Sequence, residues 1–454
     1  MSYPKHYCGI VGAFGVKSAA LKLMNGLHAL QHRGQEGAGL VVVGNNGKFH
    51  LPQKGMGLVL QVFTPEVLSK LVGTMGAGHV RYSTTGGTGQ QNVQPLVIDC
   101  WRGQVALAHN GNLVNTASLR SELLADGVIL QSATDSEFML HLLARSTGSM
   151  TEAVKEMMAR VEGAYSLVII TSDELIGVRD PNGFRPLCLG KIGDGWVLAS
   201  ETCALDIMGA KFVREVLPGE IVSITKTGLK SEMFPRQVPR SLCIFEYVYF
   251  GNPGSMYGGR SLHSIRVEMG RRLWAEHPLE AGIVVPIPDG GVTAALGYSR
   301  ASGILYEPAF VRNHYVGRSF LQPSTEARIE TAHLKLSLIG ELVAGKRVVV
   351  IDDSIVRGTT CQNRVRMLRE AGAKEVHVLI SCPPHLWPCH YGIDFPDRQK
   401  LFAVIHSGQD ELRQVLGVDS LGYLSEAGLM AAVGEEGQCM ACFNGKYPVP
   451  VKAT

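Results

Sequence analysis

The chain contains no apolar run near the roughly 18 residues that a membrane-spanning helix requires, which argues against insertion in a bilayer. It also lacks any basic block. Its 43 Lys and Arg nearly balance 40 Asp and Glu, leaving a formal net charge of +3. Nucleic-acid binding depends on clustered positive charge, so that class is disfavoured. Low-complexity tracts are missing, charged residues make up only 18% and hydrophobic residues 45%, a balance that speaks against disorder. Residues 1–7 (MSYPKHY) have no apolar core and do not form a secretory signal. The ten cysteines are therefore expected in a reducing cytoplasm, as buried thiols, nucleophiles or metal ligands rather than disulfides.

What is present is enough chain for more than one core: 454 residues predict two domains of roughly 200 residues each. In the first half CGIVGAFG, GAGLVVVG, QVALAHNG, YSLVIITSD and GWVLASE read as short apolar strands, with helical stretches such as LKLMNGLHALQH and SEFMLHLLARS between them. Strands made of consecutive apolar residues predict sheets covered on both faces, in a layered α/β arrangement. Segment 231–240 (SEMFPRQVPR), with two prolines, three charges and no periodicity, reads as a linker. Beyond it, AGIVVPIPDGG, GKRVVVIDDS and KEVHVLIS alternate with helical stretches such as CQNRVRMLREAGA. That rhythm predicts a doubly wound parallel sheet whose ligands lie at the carboxyl ends of its strands.

One such end carries VVVIDDSIVRGTT (348–360). Asp352 and Asp353 close an apolar strand, and the turn 356–360, with Arg357 and Gly358, opens a helix expected near Cys361. Backbone N–H groups, the helix dipole and the Thr359 and Thr360 hydroxyls make that turn a phosphate cradle, and Gly358 permits close approach. Two carboxylates beside a phosphate need hydroxyls or a divalent cation to face, and a ribose diol with Mg²⁺ supplies both. An isolated Asp pair would read as a helix cap and a solvated acid; this context favours phosphoribosyl binding. Segment 286–291 (PIPDGG) can wrap pyrophosphate with its backbone. Between Arg312 and Ser337 a weakly periodic stretch carries Arg312, Arg318, Arg328 and Lys335, either a lid over the site or a surface helix with a basic face.

Cys8 stands behind seven residues with no assignable structural role. A buried core thiol is one reading. The other is that residues 1–7 are removed, so that one residue supplies both a nucleophilic thiol and an α-amine base. A tetrahedral oxyanion would then find donors in HNGN (109–112), from the Asn110 side chain and the Gly111 N–H. Arg81 in RYSTTG can grip a carboxylate and Asp135 in ATDSE can receive an ammonium group, while HRGQEGAG (32–39) adds an unusual turn.

Together CGIVG, HRGQEGAG, RYSTTG, HNGNL and TDSE resemble an N-terminal-nucleophile glutaminase, whose fold is a four-layer αββα sandwich. VVVIDDSIVRGTT and VGRSFLQPS resemble a type I phosphoribosyltransferase, and the two in this order resemble the glutamine phosphoribosylpyrophosphate amidotransferases over essentially the whole chain. The resemblance implies a propeptide 1–7, a glutaminase domain 8–235 and a phosphoribosyltransferase domain 236–454 that ends in a cluster-binding segment. It implies Cys8 as nucleophile, Arg81 and Asp135 as glutamine ligands, and Asn110 with Gly111 as oxyanion hole. Asp352 and Asp353, with Gly290 of the pyrophosphate loop, would hold one Mg²⁺ per subunit, and the run 356–360 the 5-phosphate. The products would be 5-phosphoribosylamine, glutamate and pyrophosphate, in the first committed step of purine nucleotide synthesis. Purine nucleotides as feedback inhibitors and a homodimer or homotetramer follow from the family alone. PDGG departs from the family pattern, in which hydroxyl residues often follow the acid, so a hydroxyl contact to the metal would be replaced by water.

The contexts SLCIFEYVYF, WPCHYGIDFP and CMACFNGKYP resemble the ligand segments of relatives that carry a cubane cluster, which implies Cys243, Cys389, Cys439 and Cys442 around one [4Fe–4S] cluster per subunit. Four-thiolate zinc fits the same count, and Cys382 competes with Cys389. Two other functions stay open on the sequence: a phosphoribosyl-binding regulatory homologue with impaired catalysis, and an amidotransferase acting on another sugar phosphate.

Overall fold

The computed structural model describes residues 8–82, 89–236, 238–313, 336–395, 397–406 and 408–451. The first half builds two antiparallel sheets. One has seven strands in the order Lys211–Glu215, Cys188–Ile192, Gly195–Ala199, Gly9–Phe14, Met75–Arg81, Gly37–Val43 and Gln53–Met56. The other has six, in the order Gly228–Met233, Glu220–Thr225, Leu175–Arg179, Gly163–Ile170, Gly103–Leu113 and Leu96–Cys100.

The two-residue period of a strand explains why these sequences are apolar without interruption. Ile10 points into the layer between the sheets, beside Ala77, Val168 and Leu198. Its neighbour Val11 points the other way, onto Leu23 and Leu27 of the helix Ala19–Ala29 and Leu205 of the helix Thr202–Met208. On the second sheet Val168 faces inward, while Leu167 and Ile169 pack on Leu140 and Leu143 of the helix Asp135–Arg145 and Val154 of the helix Met150–Arg160. Each such side chain contributes roughly 1.5–3 kcal/mol by burial, so both faces demand apolar residues. The result is helix, sheet, sheet, helix.

In the second half five parallel strands run in the order Leu305–Tyr306, Ile283–Pro286, Arg347–Asp352, Glu375–Ile380 and Ser420–Tyr423. The chain enters at the second position, steps outward to one edge, then returns and builds the other side. The direction therefore reverses between Ile283–Pro286 and Arg347–Asp352, and a doubly wound sheet opens its ligand crevice at such a point. Both phosphate-site motifs follow those two strands.

Three details differ from the sequence expectation. Segment 231–240 is not all linker, because Ser231 to Met233 complete an edge strand paired with Glu220 to Val222. The strand read in QVALAHNG runs two residues further, to Leu113, since pairing with Gly163–Ile170 holds up to Leu113↔Gly163. The helix after the Asp pair starts at Thr359, two residues before Cys361. Of the stretch 312–337, Arg318, Arg328 and Lys335 lie outside the described residues, as do residues 1–7 and 83–88.

The halves meet over a small apolar core that joins Ala164 and Phe184 to Tyr391, Cys439, Ala441 and Val449. Phe184 stacks on Tyr391 at 4.3 Å, and the Asn112 amide donates to the His390 carbonyl at 3.0 Å.

Candidate functional sites

Cys8 immediately precedes the central strand Gly9–Phe14, which lies in register with Met75–Arg81 through Gly9↔Val80. This pairing places Arg81, at the end of the neighbouring strand, beside the thiol. The Cys8 thiol donates to the Tyr82 carbonyl at 3.6 Å and is pushed up to about 11, chiefly by burial. The Tyr82 contact and the positive charge of Arg81 oppose that rise, while Asp135 and Glu36 add to it. Electrostatically, then, Cys8, Arg81 and Asp135 share one site. The HRGQEGAG turn reaches it as well: a Cβ on Gly34 would stand 2.7 Å from the Arg81 carbonyl carbon, so only glycine fits there.

Asp135 is the first residue of its helix and is buried. Burial would raise its carboxyl, but the neighbouring His109 and the N–H of Leu113 outweigh it and hold the group below the usual range. His109 Nδ1 lies 3.4 Å from Asp135 Oδ1, and the Leu113 N–H donates to Oδ2 at 2.9 Å. Two residues before Leu113, a Cβ on Gly111 would lie 1.9 Å from the Ala164 carbonyl oxygen. Asn110 is fully buried, yet neither atom of its amide has a hydrogen-bond partner among the described residues. An orphaned amide of that kind costs roughly 1–3 kcal/mol, which is tolerable where a substrate oxygen completes it.

In the second domain Asp352 ends its strand and Asp353 follows, both buried. Arg364 Nη1 donates to Asp352 Oδ2 at 2.5 Å, and the Ser354 hydroxyl donates to Asp353 Oδ2 at 2.5 Å. Burial, and for Asp353 the adjacent Asp352 charge, push both carboxyls upward. A cavity opens beside them, lined by Asp352, the run 354–361 and Arg364. That run includes Arg357, Gly358, Thr359 and Thr360. Gly358 has φ +79°, and a Cβ there would meet the Phe402 ring at 2.4 Å. The PDGG segment closes on the same place. A Cβ on Gly290 would stand 1.9 Å from Asp353 Oδ1, and one on Gly291 2.1 Å from the Ile351 carbonyl oxygen. The two glycines thus answer a packing demand, and Arg312 pairs with Asp289 at the loop's tip.

The four cysteines 243, 389, 439 and 442 line one small cavity together with Phe184, Tyr391 and Tyr447. Two of them are brought together by a short parallel pairing, Cys243↔Cys439. Cys442 follows on the turn of helix Ala441–Asn444, and its carbonyl accepts from the N–H groups of Leu386 and Trp387 at 3.1 Å. Cys382 does not line the cavity; its thiol donates to the Pro383 carbonyl at 3.3 Å. Burial pushes the Cys389, Cys439 and Cys442 thiols upward. Among the described residues no three His, Cys, Asp or Glu side chains converge as a single-ion site requires.

Sequence reasoning missed Arg33, Glu201 and Glu246, which form a buried ion-pair group behind Cys8. HRGQEGAG was recognised only as an unusual turn, and nothing in SLCIFEYVYF distinguishes Glu246 from a surface acid. His109 and Ser136, which flank Asp135, were visible only as parts of motifs.

A glutamine amidotransferase domain profile matches residues 79–206, and a phosphoribosyl transferase domain profile matches residues 272–385. The chain is 47% identical to an amidophosphoribosyltransferase of Bacillus subtilis, with 98% of this chain and 94% of that one aligned. It is 45% identical to one of Methanocaldococcus jannaschii, with 98% of each covered. The solved glutamine phosphoribosylpyrophosphate amidotransferase of B. subtilis, complexed with ADP and GMP, superposes with a TM-score of 0.92 at 46% identity, over 98% of both chains. A glutaminase-type sandwich and a phosphoribosyl crevice in one polypeptide, matched along its whole length by such relatives, place this chain in the amidophosphoribosyltransferase family.

Proposed function

We propose that the chain converts 5-phosphoribosyl 1-pyrophosphate, glutamine and water to 5-phosphoribosylamine, glutamate and pyrophosphate, the first committed step of purine nucleotide synthesis. The observation that carries this reading is the gathering of Arg81 and Asp135 about the buried thiol of Cys8, in a chain whose second sheet opens a crevice beside an Asp pair. We assign residues 1–7 as a propeptide, 8–235 as the glutaminase unit and 236–454 as the phosphoribosyltransferase unit. Support for that division comes from Phe234 packing in the first core and Leu242 in the second.

Glutamine enters with its carboxylate on Arg81 and its ammonium group on Asp135. Once residues 1–7 are gone, the α-amine of Cys8 takes the thiol proton, which the peptide-linked, buried thiol otherwise keeps. The thiolate attacks the side-chain amide carbon. Negative charge collects on the carbonyl oxygen, where the Asn110 amide and the Gly111 N–H receive it. Return of the proton to nitrogen expels ammonia and leaves a γ-glutamyl thioester, which water hydrolyses to glutamate. Ammonia then crosses within the protein and displaces pyrophosphate from C1 of the sugar.

For the sugar, Asp352 and Asp353 face the ribose hydroxyls, and the turn 356–360 with Arg357, Gly358, Thr359 and Thr360 holds the 5-phosphate. The same carboxylates with Gly290 would hold one Mg²⁺, which when bound offsets the charge of the leaving pyrophosphate. The upward push on both carboxyls fits a site whose charge is completed by a cation. Cys243, Cys389, Cys439 and Cys442 would hold one [4Fe–4S] cluster in a structural role. The four thiols line one cavity with Phe184, Tyr391 and Tyr447, which supports a four-thiolate site of that kind. Purine nucleotides as feedback inhibitors are supported by the relative solved with ADP and GMP. A cytoplasmic homodimer or homotetramer completes the reading.

The test is Cys8→Ala with either nitrogen source. Glutamine-dependent synthesis should vanish while ammonium-dependent synthesis persists. Loss of both in a folded protein overturns the two-site scheme, and a purified active chain that still carries residues 1–7 removes the amine base.

A further inference from the structure

Arg33 is buried and makes four hydrogen bonds in three directions. Its Nη1 donates to Glu201 Oε1 at 2.5 Å and to Glu246 Oε2 at 2.9 Å, and its Nη2 donates to Glu246 Oε1 at 2.7 Å. Its Nε donates to the Cys8 carbonyl oxygen at 3.1 Å. Glu201 is pinned in turn by His32 at 2.8 Å, the Ser255 hydroxyl at 2.7 Å and the Asn252 N–H at 2.8 Å. Arg185 lies 3.7 Å from Glu246, so two cations and two carboxylates balance in a space closed to water. Glu246 follows Leu242, whose side chain belongs to the second core, whereas Arg33 and Cys8 belong to the first unit.

A buried ion pair is a weak device for stability, because apolar groups of the same volume often serve as well. It is a strong device for direction. A guanidinium gripped by two carboxylates has its plane fixed, and the remaining Nε–H then points one way. Here that way is the backbone of Cys8. When residues 1–7 are removed, Cys8 loses the preceding peptide bond and is held from its carboxyl side alone. Its carbonyl then becomes the anchor that sets where both thiol and amine stand.

We propose that Arg33, oriented by Glu246 of the second unit, is a positioning residue for Cys8, so that the phosphoribosyltransferase half supplies a part the glutamine site needs. This rests on the reading of Cys8 as an N-terminal nucleophile. Neither Arg33 nor Glu246 touches the amide under attack, so glutamine affinity is left to Arg81 and Asp135.

The experiment measures both nitrogen sources for mature full-length Glu246→Gln and Arg33→Lys, with Cys8→Ala in parallel. Misplacing a reacting atom by about 1 Å costs on the order of 10²-fold, so kcat for glutamine hydrolysis should fall by roughly tenfold to a hundredfold. KM for glutamine and the ammonium-dependent rate should each stay within about twofold. Arg33→Lys should match Glu246→Gln although it keeps the charge, because the planar fork is gone. If either single variant misfolds, the double variant Arg33→Met with Glu246→Met fills the space with apolar groups, and a folded double variant should show the same split. Wild-type glutamine turnover in a folded variant, or equal loss with both nitrogen sources, overturns the proposal. Should Cys8→Ala itself still use glutamine, the nucleophile reading fails instead.

Discussion

Gly290 and Asp353 occupy almost the same space: a methyl group added to the glycine would meet the carboxylate oxygen at 1.9 Å. The PDGG loop therefore closes on the Asp pair only because position 290 has no side chain. Gly290→Ala must displace the loop or the carboxylate, an overpacking that typically costs 1–3 kcal/mol. In steady-state kinetics KM for phosphoribosyl pyrophosphate should rise by roughly tenfold, since 1.4 kcal/mol is a factor of ten. The glutaminase half-reaction lies in the other domain and should not change. An unaltered KM for the sugar substrate would detach Asp353 from its site.

The Asn110 side-chain amide, on the proposed mechanism, bonds to an atom present during the reaction. That amide is buried and has no hydrogen-bond partner among the described residues, so Asn110→Ala removes no such contact there. The glutamine-dependent kcat should fall by about 10²–10³ with little change in KM. The apparent unfolding free energy should move by no more than about 1 kcal/mol. A large stability loss together with a proportionate loss of ammonium-dependent activity would make Asn110 a structural residue.

Cys442 lines one cavity with Cys243, Cys389 and Cys439. Cys442→Ser in anaerobically purified protein should strip most iron and acid-labile sulfide, read by direct analysis, and lower the thermal midpoint by several degrees. Zinc in equal stoichiometry in the wild-type protein, with no sulfide, would remove the cluster.

The motifs that carry backbone chemistry could be read from the chain, because they are local. IDDSIVRGTT places its carboxylates and its turn within one strand-to-helix junction, and the structure keeps Asp352 and the turn on one cavity. The layered fold was legible for the same reason: Ile10 and Val11 are both apolar since each faces a different layer. Long-range partnerships were not legible. The Arg33–Glu246 pair joins residues 213 positions apart, and burial alone turns two ordinary charges into one fixed unit. Nothing in QVALAHNG marks where the strand ends, and pairing with the strand Gly163–Ile170 carries it on to Leu113. The glycines of PDGG look like a lost hydroxyl until the Asp353 carboxylate is placed against them.

His385 packs among Phe245, Phe395 and Phe443, with ring centroids 5.0, 4.7 and 5.1 Å away, and neither ring nitrogen has a hydrogen-bond partner among the described residues. Burial in that apolar setting lowers its titration from the ordinary 6.5 to about 3. In the unfolded chain the ring takes a proton below pH 6.5, while the folded protein refuses it until near pH 3. The unfolded state thus binds more protons across that window, and stability falls as pH drops through it, by about 1.4 kcal/mol per unit at most. His385→Leu removes the titration and keeps an apolar filling. Measured by denaturant unfolding, the variant should gain on the wild type by about 2 kcal/mol between pH 7.5 and pH 5.0, whatever their difference at the higher pH. A gap that is the same at both pH values would mean that the imidazole reaches a partner or water and is not held neutral by the aromatic cage.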